Sequence, residues 1–347
     1  MAKATKIPEP LTRLKRVLKG RGTLLIVLQD NPDPDAVGAA VALRELANRL
    51  GGLQCSIAHG GTIGRAENRA LVRYLGLNLR PLEELDVSRF DLIAMVDTQP
   101  GTGNNSLPGA VQPDIVVDHH RLRRRTRAVT FTDVRARIGA TSTILWEYLR
   151  QAEIRPAVPL ATALLYGIRS DTQDLGRDTT SADIEALEQL YPLANKRMLS
   201  RIQLGQVPTA YFQMLADALA AAVVYGRCVV TVLGDVDNPD MIGEVADLLL
   251  RHEEVDWTLC WGYHDGAARV SLRTEDPAGR ADEVMRRLVA RLGTGGGHAA
   301  MAGGQVPLGE GTRERRGKIE QTLRKRFLGA LGLADARGVR LVRGPKA

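Results

Sequence analysis

The sequence predicts an α/β fold, with a mostly parallel sheet in the N-terminal region and a smaller α+β region behind it. Three observations carry this. Short apolar, partly β-branched runs alternate with helix-spaced segments between residues 23 and 190. The signals restart in a different order after residue 218, and the apolar and charged shares, 44% and 25%, are those of an ordinary globular chain. At roughly 150 residues per domain, 347 residues make two domains. The pattern divides the chain into a first domain at 15–192, a helical linker at 193–218, a second domain at 219–333 and a basic tail at 334–347, which reads as frayed from 336 onward.

In chain order, residues 23–28 read as a strand, 36–50 as a helix closed by Gly51-Gly52, 53–58 as a strand and 65–75 as a helix. Further strands are expected at 91–96 and 114–117, and helices at 141–150, 160–167 and 181–190. The second region offers strands at 223–233, 257–263 and 268–273. Its helices are expected at 241–251 and 281–292, followed by a glycine-rich loop and a closing helix at 313–331. Open parallel sheets bind ligands at the carboxyl ends of their strands, which directs attention to the residues after Leu28, Val96 and Val117.

Composition excludes several classes. Cys55, Cys228 and Cys260 are too few and too widely spaced for a disulfide framework or a zinc knuckle, and they point to a reducing, cytoplasmic setting. No stretch approaches the ~18 apolar residues of a membrane span, and no G-K-[ST] marks a P-loop. Aromatic residues make up 4% of the chain, which argues against the stacking platforms that hold long single-stranded nucleic acid. The net charge of +7 suits a phosphate-bearing partner as well as it suits an inert basic surface.

The strand ends are rich in acids. The segment Gln29-Asp30-Asn31-Pro32-Asp33-Pro34-Asp35-Ala36-Val37-Gly38 holds three carboxylates in six residues. Asp97-Thr98 and Asp118-His119-His120 follow the next two strands, and Gly167-Ile168-Arg169-Ser170-Asp171-Thr172 follows an apolar helix. Each acid alone has a plain reading, with Asp35 capping the helix and Asp33 favouring the turn. Four clusters at the edges of apolar elements are hard to explain as four separate caps. Crowded carboxylates repel unless cations compensate, and mixed Asp and His ligation suits Mn²⁺ or a similar ion.

On these residues the sequence resembles the DHH phosphoesterase family, which includes RecJ-like exonucleases, nanoRNase/pAp phosphatases and cyclic-dinucleotide phosphodiesterases. Pro32-Asp33-Pro34-Asp35-Ala36-Val37-Gly38, Val96-Asp97-Thr98, Asp118-His119-His120 and 167–172 match the family's four motifs in order. Gly295-Gly296-Gly297-His298-Ala299-Ala300-Met301-Ala302-Gly303 resembles the glycine-rich motif of its associated C-terminal domain. The layout is most like that of the nanoRNase/pAp phosphatases. The resemblance implies two divalent ions, Mn²⁺ foremost with Mg²⁺ or Co²⁺ as substitutes, held by Asp33, Asp35, Asp97, His119 and Asp171, with Asp97 bridging. Asp118 and His120 would support that shell and the bound phosphate. Many phosphodiesterase members carry a metal-binding His three residues before the proline, where this chain has Gln29, a weaker neutral ligand that Asp30 could compensate.

The same resemblance implies that Gly295, Gly296, Gly297 and His298 meet the substrate's terminal phosphate, with Arg273 as a second contact. The run Arg121-Leu122-Arg123-Arg124-Arg125-Thr126-Arg127 reads as a solvated face or, at Arg121, as a phosphate contact, and Asn68 could lie at the cleft. His59, His252 and His264 read as structural or exposed, and Trp146, Trp257 and Trp261 as core or interface residues. The implied activity is metal-dependent hydrolysis of short oligoribonucleotides, linear dinucleotides or pAp. Length argues against the extra nucleic-acid modules of large RecJ proteins, so the expected partner is a short nucleotide, with no membrane and no long nucleic acid, and a homodimer is allowed. A cyclic dinucleotide or inorganic polyphosphate is the alternative substrate. Gln29 also permits a non-catalytic nucleotide-binding protein.

Overall fold

The computed structural model describes residues 9–309 and 311–342 and divides into two compact units between Gln206 and Val207. In the first unit an amphipathic helix α1 (Glu9–Leu18) leads into β1 (Thr23–Val27) and α2 (Pro34–Gly51). Asp33 caps α2 by accepting the Ala36 amide at 2.9 Å, Pro34 presets the first turn, and Gly52 closes the helix at φ 71°. β2 (Gln54–His59), α3 (Ala66–Tyr74), the two-residue β3 (Arg80–Pro81) and β4 (Leu92–Val96) follow. Next come β5 (Ile115–Asp118), β6 (Phe131–Val134), α4 (Thr141–Gln151), α5 (Val158–Asp171), α6 (Ser181–Leu190) and α7 (Lys196–Gln203).

All six strands pair in parallel, in the order β3-β2-β1-β4-β5-β6. The direction of winding reverses between β1 and β4. The loops after these two strands therefore diverge and leave a crevice at their carboxyl ends. Alternation along β1 serves both faces of the sheet. Leu24, Ile26 and Leu28 face a core built with α2, α4 and α5, while Leu25 and Val27 join Ile93, Met95 and Val116 on the other face.

Helices α2 and α5 approach closely because both carry glycine where they meet. A Cβ on Gly38 would stand 2.9 Å from the Ala163 carbonyl oxygen, and one on Gly167 would stand 2.5 Å from Ser142 Oγ and 3.0 Å from Asp35 Cα. Such room permits the acidic first turn of α2 to sit against α4 and α5.

The second unit is a mixed sheet with helices on both faces. It contains α8 (Thr209–Ala221), β7 (Val223–Tyr225), β8 (Cys228–Asp235), α9 (Asp240–Leu249), β9 (Trp257–His264) and β10 (Ala267–Thr274). They are followed by α10 (Ala281–Leu288), β11 (Thr294–Gly297), β12 (Met301–Pro307), α11 (Arg313–Ala330) and β13 (Val339–Arg340). The strand order is β11-β12-β10-β9-β8-β7-β13, with only β8 and β9 parallel. Trp257 and Trp261 lie in its core and Trp146 in that of the first unit. No described helix is long and apolar enough to cross a membrane.

Several expectations are corrected. The glycine-rich stretch 294–297 is the strand β11 and not a loop, because its backbone pairs with Thr294 opposite Gln305 and Gly297 opposite Ala302. The strand expected at 223–233 is a hairpin, turned by Gly226 at φ 56°. β6 was not expected, and α5 runs on to Asp171, so the fourth acidic motif lies inside its last turn. The stretch 193–218 holds α7, whose Leu199 and Ile202 enter the first core, and α8, whose Ala218 enters a core of the second unit. Val339 and Arg340 in the supposed frayed tail pair with β7, and residues 343–347 of that tail lie outside the described residues.

The Gly167 contact generates a test. Gly167→Ala must push Asp35 and Ser142 aside, and its urea unfolding free energy should fall by about 1–3 kcal/mol. An unchanged midpoint would show that α2 and α5 can separate at no cost.

Candidate active site

The carboxyl ends of β1, β4 and β5 deliver their loops to the crevice, and the last turn of α5 adds Asp171. Two groups of side chains converge there: Asp97, Asp118, His119 and His120, and then Asp35, His119 and Asp171, with ligand atoms in each group within 4.8 Å of one another. His119 belongs to both. Its Nδ1 lies 3.2 Å from the Ile138 carbonyl, an acceptor only, so this nitrogen carries a proton and Nε2 is the free one. Nε2 is buried, with Asp171 Oδ2 2.9 Å away and Asp97 Oδ1 3.6 Å away. A bare nitrogen lone pair facing two carboxylates is repulsive. A cation must therefore sit at Nε2, either a proton or a metal ion, and the oxygen-rich donors around it fit a hard or borderline divalent ion.

Asp97 holds its place at a cost. It follows β4 with φ 59°, a left-handed conformation that aspartate tolerates better than most residues, and it is 2% exposed. Thr141 Oγ1 donates to its Oδ1 at 2.9 Å. Burial, reinforced by the charges of Asp33, Asp35, Asp118 and Asp171, pushes its carboxyl well above the usual range.

Asp35 does something sequence reasoning did not foresee. It does not cap its own helix; that role is Asp33's. Its two oxygens instead accept the backbone amides of Thr141 and Ser142, both at 2.7 Å. The start of α4, where Ala140 offers no side-chain cap, is thus capped from another helix, and the positive end of the α4 dipole faces the carboxylate cluster. Burial and the Asp171 charge still push Asp35 up to about 7.

Asp33 lies outside both groups. Its Oδ1 accepts the Ala36 amide and its Oδ2 accepts Gln29 Nε2 at 2.9 Å, while burial and Asp171 raise its carboxyl. Gln29 turns its oxygen toward Asn104 Nδ2, 3.3 Å away, so its amide positions Asp33. The suggested compensation by Asp30 is not seen, because the Asp30 carboxylate accepts Ser106 Oγ at 2.8 Å. Asn68, expected at the cleft, is buried and braces the first motif by donating to the Pro32 carbonyl.

Asp118 is fully engaged. Its Oδ1 accepts the backbone amide and Nδ1 of His120, at 3.1 and 2.8 Å, and its Oδ2 accepts Gln99 Nε2 at 2.6 Å. Burial would raise this carboxyl, but the His120 and Gln99 bonds outweigh burial and hold it low. Gln99, which sequence reasoning missed, is the hub of this side of the site. Its only sequence signal was an amide two residues after Asp97.

In the second unit Arg273 pairs with Met301 across the β10 to β12 ladder, and the His298 amide donates to the Met301 carbonyl at 2.7 Å. Arg273 and the glycines of β11 therefore share one end of three adjacent strands. His298 is exposed, and Arg273 Nε is held by Asp247 Oδ1 at 2.5 Å.

Two raised groups set a pH dependence. Asp35 binds its proton more tightly folded than unfolded, so its contribution to stability is full below about pH 4 and is lost as pH rises through about 7. His119 is held down by burial but lifted to about 9 by the Asp171 carboxylate and the charges of Asp35 and Asp118, so its contribution is lost only through pH 9. In chelator the melting temperature should fall as pH rises across this window. Saturating Mn²⁺ should reverse the slope, because the ion takes the deprotonated carboxylates. The same slope with and without ion would exclude a metal at the site.

Residues 23–168 match the DHH family, N-terminal domain, and residues 225–325 match the DHHA1 domain. An uncharacterized protein of Methanocaldococcus jannaschii is 34% identical over 322 residues, covering 91% of this chain and 65% of that one. A probable manganese-dependent inorganic pyrophosphatase of Lactobacillus gasseri is 32% identical over 171 residues, covering 49% of this chain and 54% of that one. The chain thus matches between half and two thirds of the length of these relatives. An exopolyphosphatase-related protein from Bacteroides fragilis superposes with a TM-score of 0.73 at 16% identity, over 95% of this chain and 99% of that one, which shows a shared fold. With its acidic motifs gathered in the first unit and a DHHA1 domain in the second, the chain belongs to the DHH family.

Proposed function

We propose that this protein is a metal-dependent phosphoesterase acting on short nucleotide-type substrates: oligoribonucleotides, linear dinucleotides or pAp. The observation that carries the reading is the convergence of the buried His119 Nε2 with the carboxylates of Asp171 and Asp97, 2.9 and 3.6 Å away. Asp35, Asp97, His119 and Asp171, with Asp33 entering from beside Gln29, would hold two divalent ions, Mn²⁺ or a similar metal. Bound there, such ions supply Lewis acidity that activates water and neutralises charge on the phosphate.

The chain's own residues do the rest. The α4 amides fix Asp35, and Thr141 fixes Asp97, so the carboxylates are preorganised. Asp118 is held ionised and accepts the Nδ1–H of His120, which fixes the ring so that, when the imidazole is doubly protonated, its Nε2–H would donate to the phosphate or pass its proton to the departing oxygen. Gly295, Gly296, Gly297 and His298 offer small residues and an exposed imidazole to a terminal phosphate. Arg273 joins them only if Asp247 releases it.

A second reading is hydrolysis of a phosphoanhydride such as pyrophosphate or polyphosphate. It is favoured by the probable manganese-dependent pyrophosphatases among the relatives, which match about half of this chain.

A turnover screen with Mn²⁺ across pAp, short RNA, linear and cyclic dinucleotides, pyrophosphate and polyphosphate separates the two. Release of mononucleotides or of phosphate from pAp is the expected result, and turnover of anhydrides alone would replace the first reading by the second. Asp97→Asn keeps the tolerance for positive φ and the acceptor for Thr141 while removing a buried charge. It should abolish turnover and raise stability in chelator by about 1–3 kcal/mol at neutral pH. Turnover retained by this variant would remove Asp97 from the metal centre.

A further inference from the structure

Between β5 and β6 the chain carries five arginines within residues 121–127, and the backbone that bears them is not a free loop. Gln99, fully buried, donates from Nε2 to the Arg121 carbonyl at 3.1 Å as well as to Asp118. Its Oε1 accepts the Arg123 amide and Thr126 Oγ1, both at 2.8 Å. One amide side chain thus spends its whole hydrogen-bonding capacity tying the arginine segment to the carboxylate that grips His120. Thr126 is buried as the anchor, while Arg121, Arg123, Arg124 and Arg127 are exposed.

Several arginines elsewhere in the fold are neutralised by carboxylates. Arg135 is held by Asp133 and Glu147, Arg273 by Asp247 and Arg316 by Asp235. Among the described residues, no carboxylate pairs with Arg121, Arg123, Arg124 or Arg127. Four like charges fixed on a short anchored segment repel one another, and an anion laid along them would relieve that repulsion.

We infer that Arg121–Arg127 is an accessory binding strip for consecutive phosphates of a linear substrate, beyond the phosphate that is cleaved. This rests on the phosphoesterase reading and adds a preference for length. Aromatic stacking has little part in it, so the strip reads charge and not base. The shared chemistry is a row of phosphates, whose source is a short RNA or a polyphosphate.

The test uses Arg123→Gln, Arg124→Gln and Arg127→Gln together, a variant that keeps the backbone amide bound by Gln99 and should melt with the wild type. Fluorescence anisotropy in chelator follows binding of a labelled pentaribonucleotide, with pAp and polyphosphate as competitors. The variant should bind the RNA at least about tenfold more weakly. Its slope of log affinity against log salt should be shallower by about 2, since each single-strand phosphate contact contributes about 0.7. Its preference for the pentaribonucleotide over pAp should collapse.

Polyphosphate should displace the RNA from the wild type, and failure to do so would overturn a strip that reads phosphates alone. Equal affinity and slope in the two proteins would make the arginines a solvated face. An equal loss for pAp and RNA would assign them to the cleaved phosphate and end the accessory reading. Because binding is measured without metal, a wild type that hydrolyses nothing with Mn²⁺ would sink the phosphoesterase reading separately.

Discussion

The first unit depends on one electrostatic constraint: several carboxylates and an imidazole must share a space from which water is largely excluded. Left uncompensated, such a cluster would push its elements apart. The fold answers with fixed dipoles, because the α4 amides meet Asp35, the Thr141 hydroxyl meets Asp97 and the Gln99 amide meets Asp118. The remaining demand for positive charge falls on His119 Nε2. The site is therefore under tension by construction, and the positive φ of Asp97 is a second sign of the same compromise.

That compromise is possible because the sheet reverses its winding between β1 and β4. The two central strands end side by side, and the loops that leave them diverge. α2 then brings its acidic first turn under α4 only because Gly38 and Gly167 remove the side chains that would hold α2 and α5 apart. Backbone approach and charge placement are one design problem here. Ordinary hydrophobic cores on the two faces of the sheet supply the stability that lets the cluster persist.

Much of this was legible in the sequence. Acids after apolar runs gave the ends of β1, β4 and β5, and their order gave the family. What was not legible depended on contacts distant in sequence. Asp33 takes the cap expected of Asp35, and Asp35 has a role no local pattern signals, because its partner amides lie more than a hundred residues away. Gln99 offered no more than an amide two residues after Asp97, since its side chain's partners, Asp118, Arg121, Arg123 and Thr126, all lie 19 to 27 residues further on. The stretch 294–297 looked like a loop because glycine is a turn former by local preference, whereas pairing with β12 makes it a strand. Gln29 was weighed as a ligand, and its hydrogen bond to Asp33 makes it a brace in this structure.

The outer edges of the second sheet carry one more consequence. β13 is only two residues long, ends in the exposed Arg340 and covers the edge that β7 would otherwise present. At the other side β11 is a four-residue strand, Thr294–Gly297. Both margins are thus short, at four and two residues, which limits the backbone that a neighbouring strand could pair with and guards this mixed sheet against growing sideways.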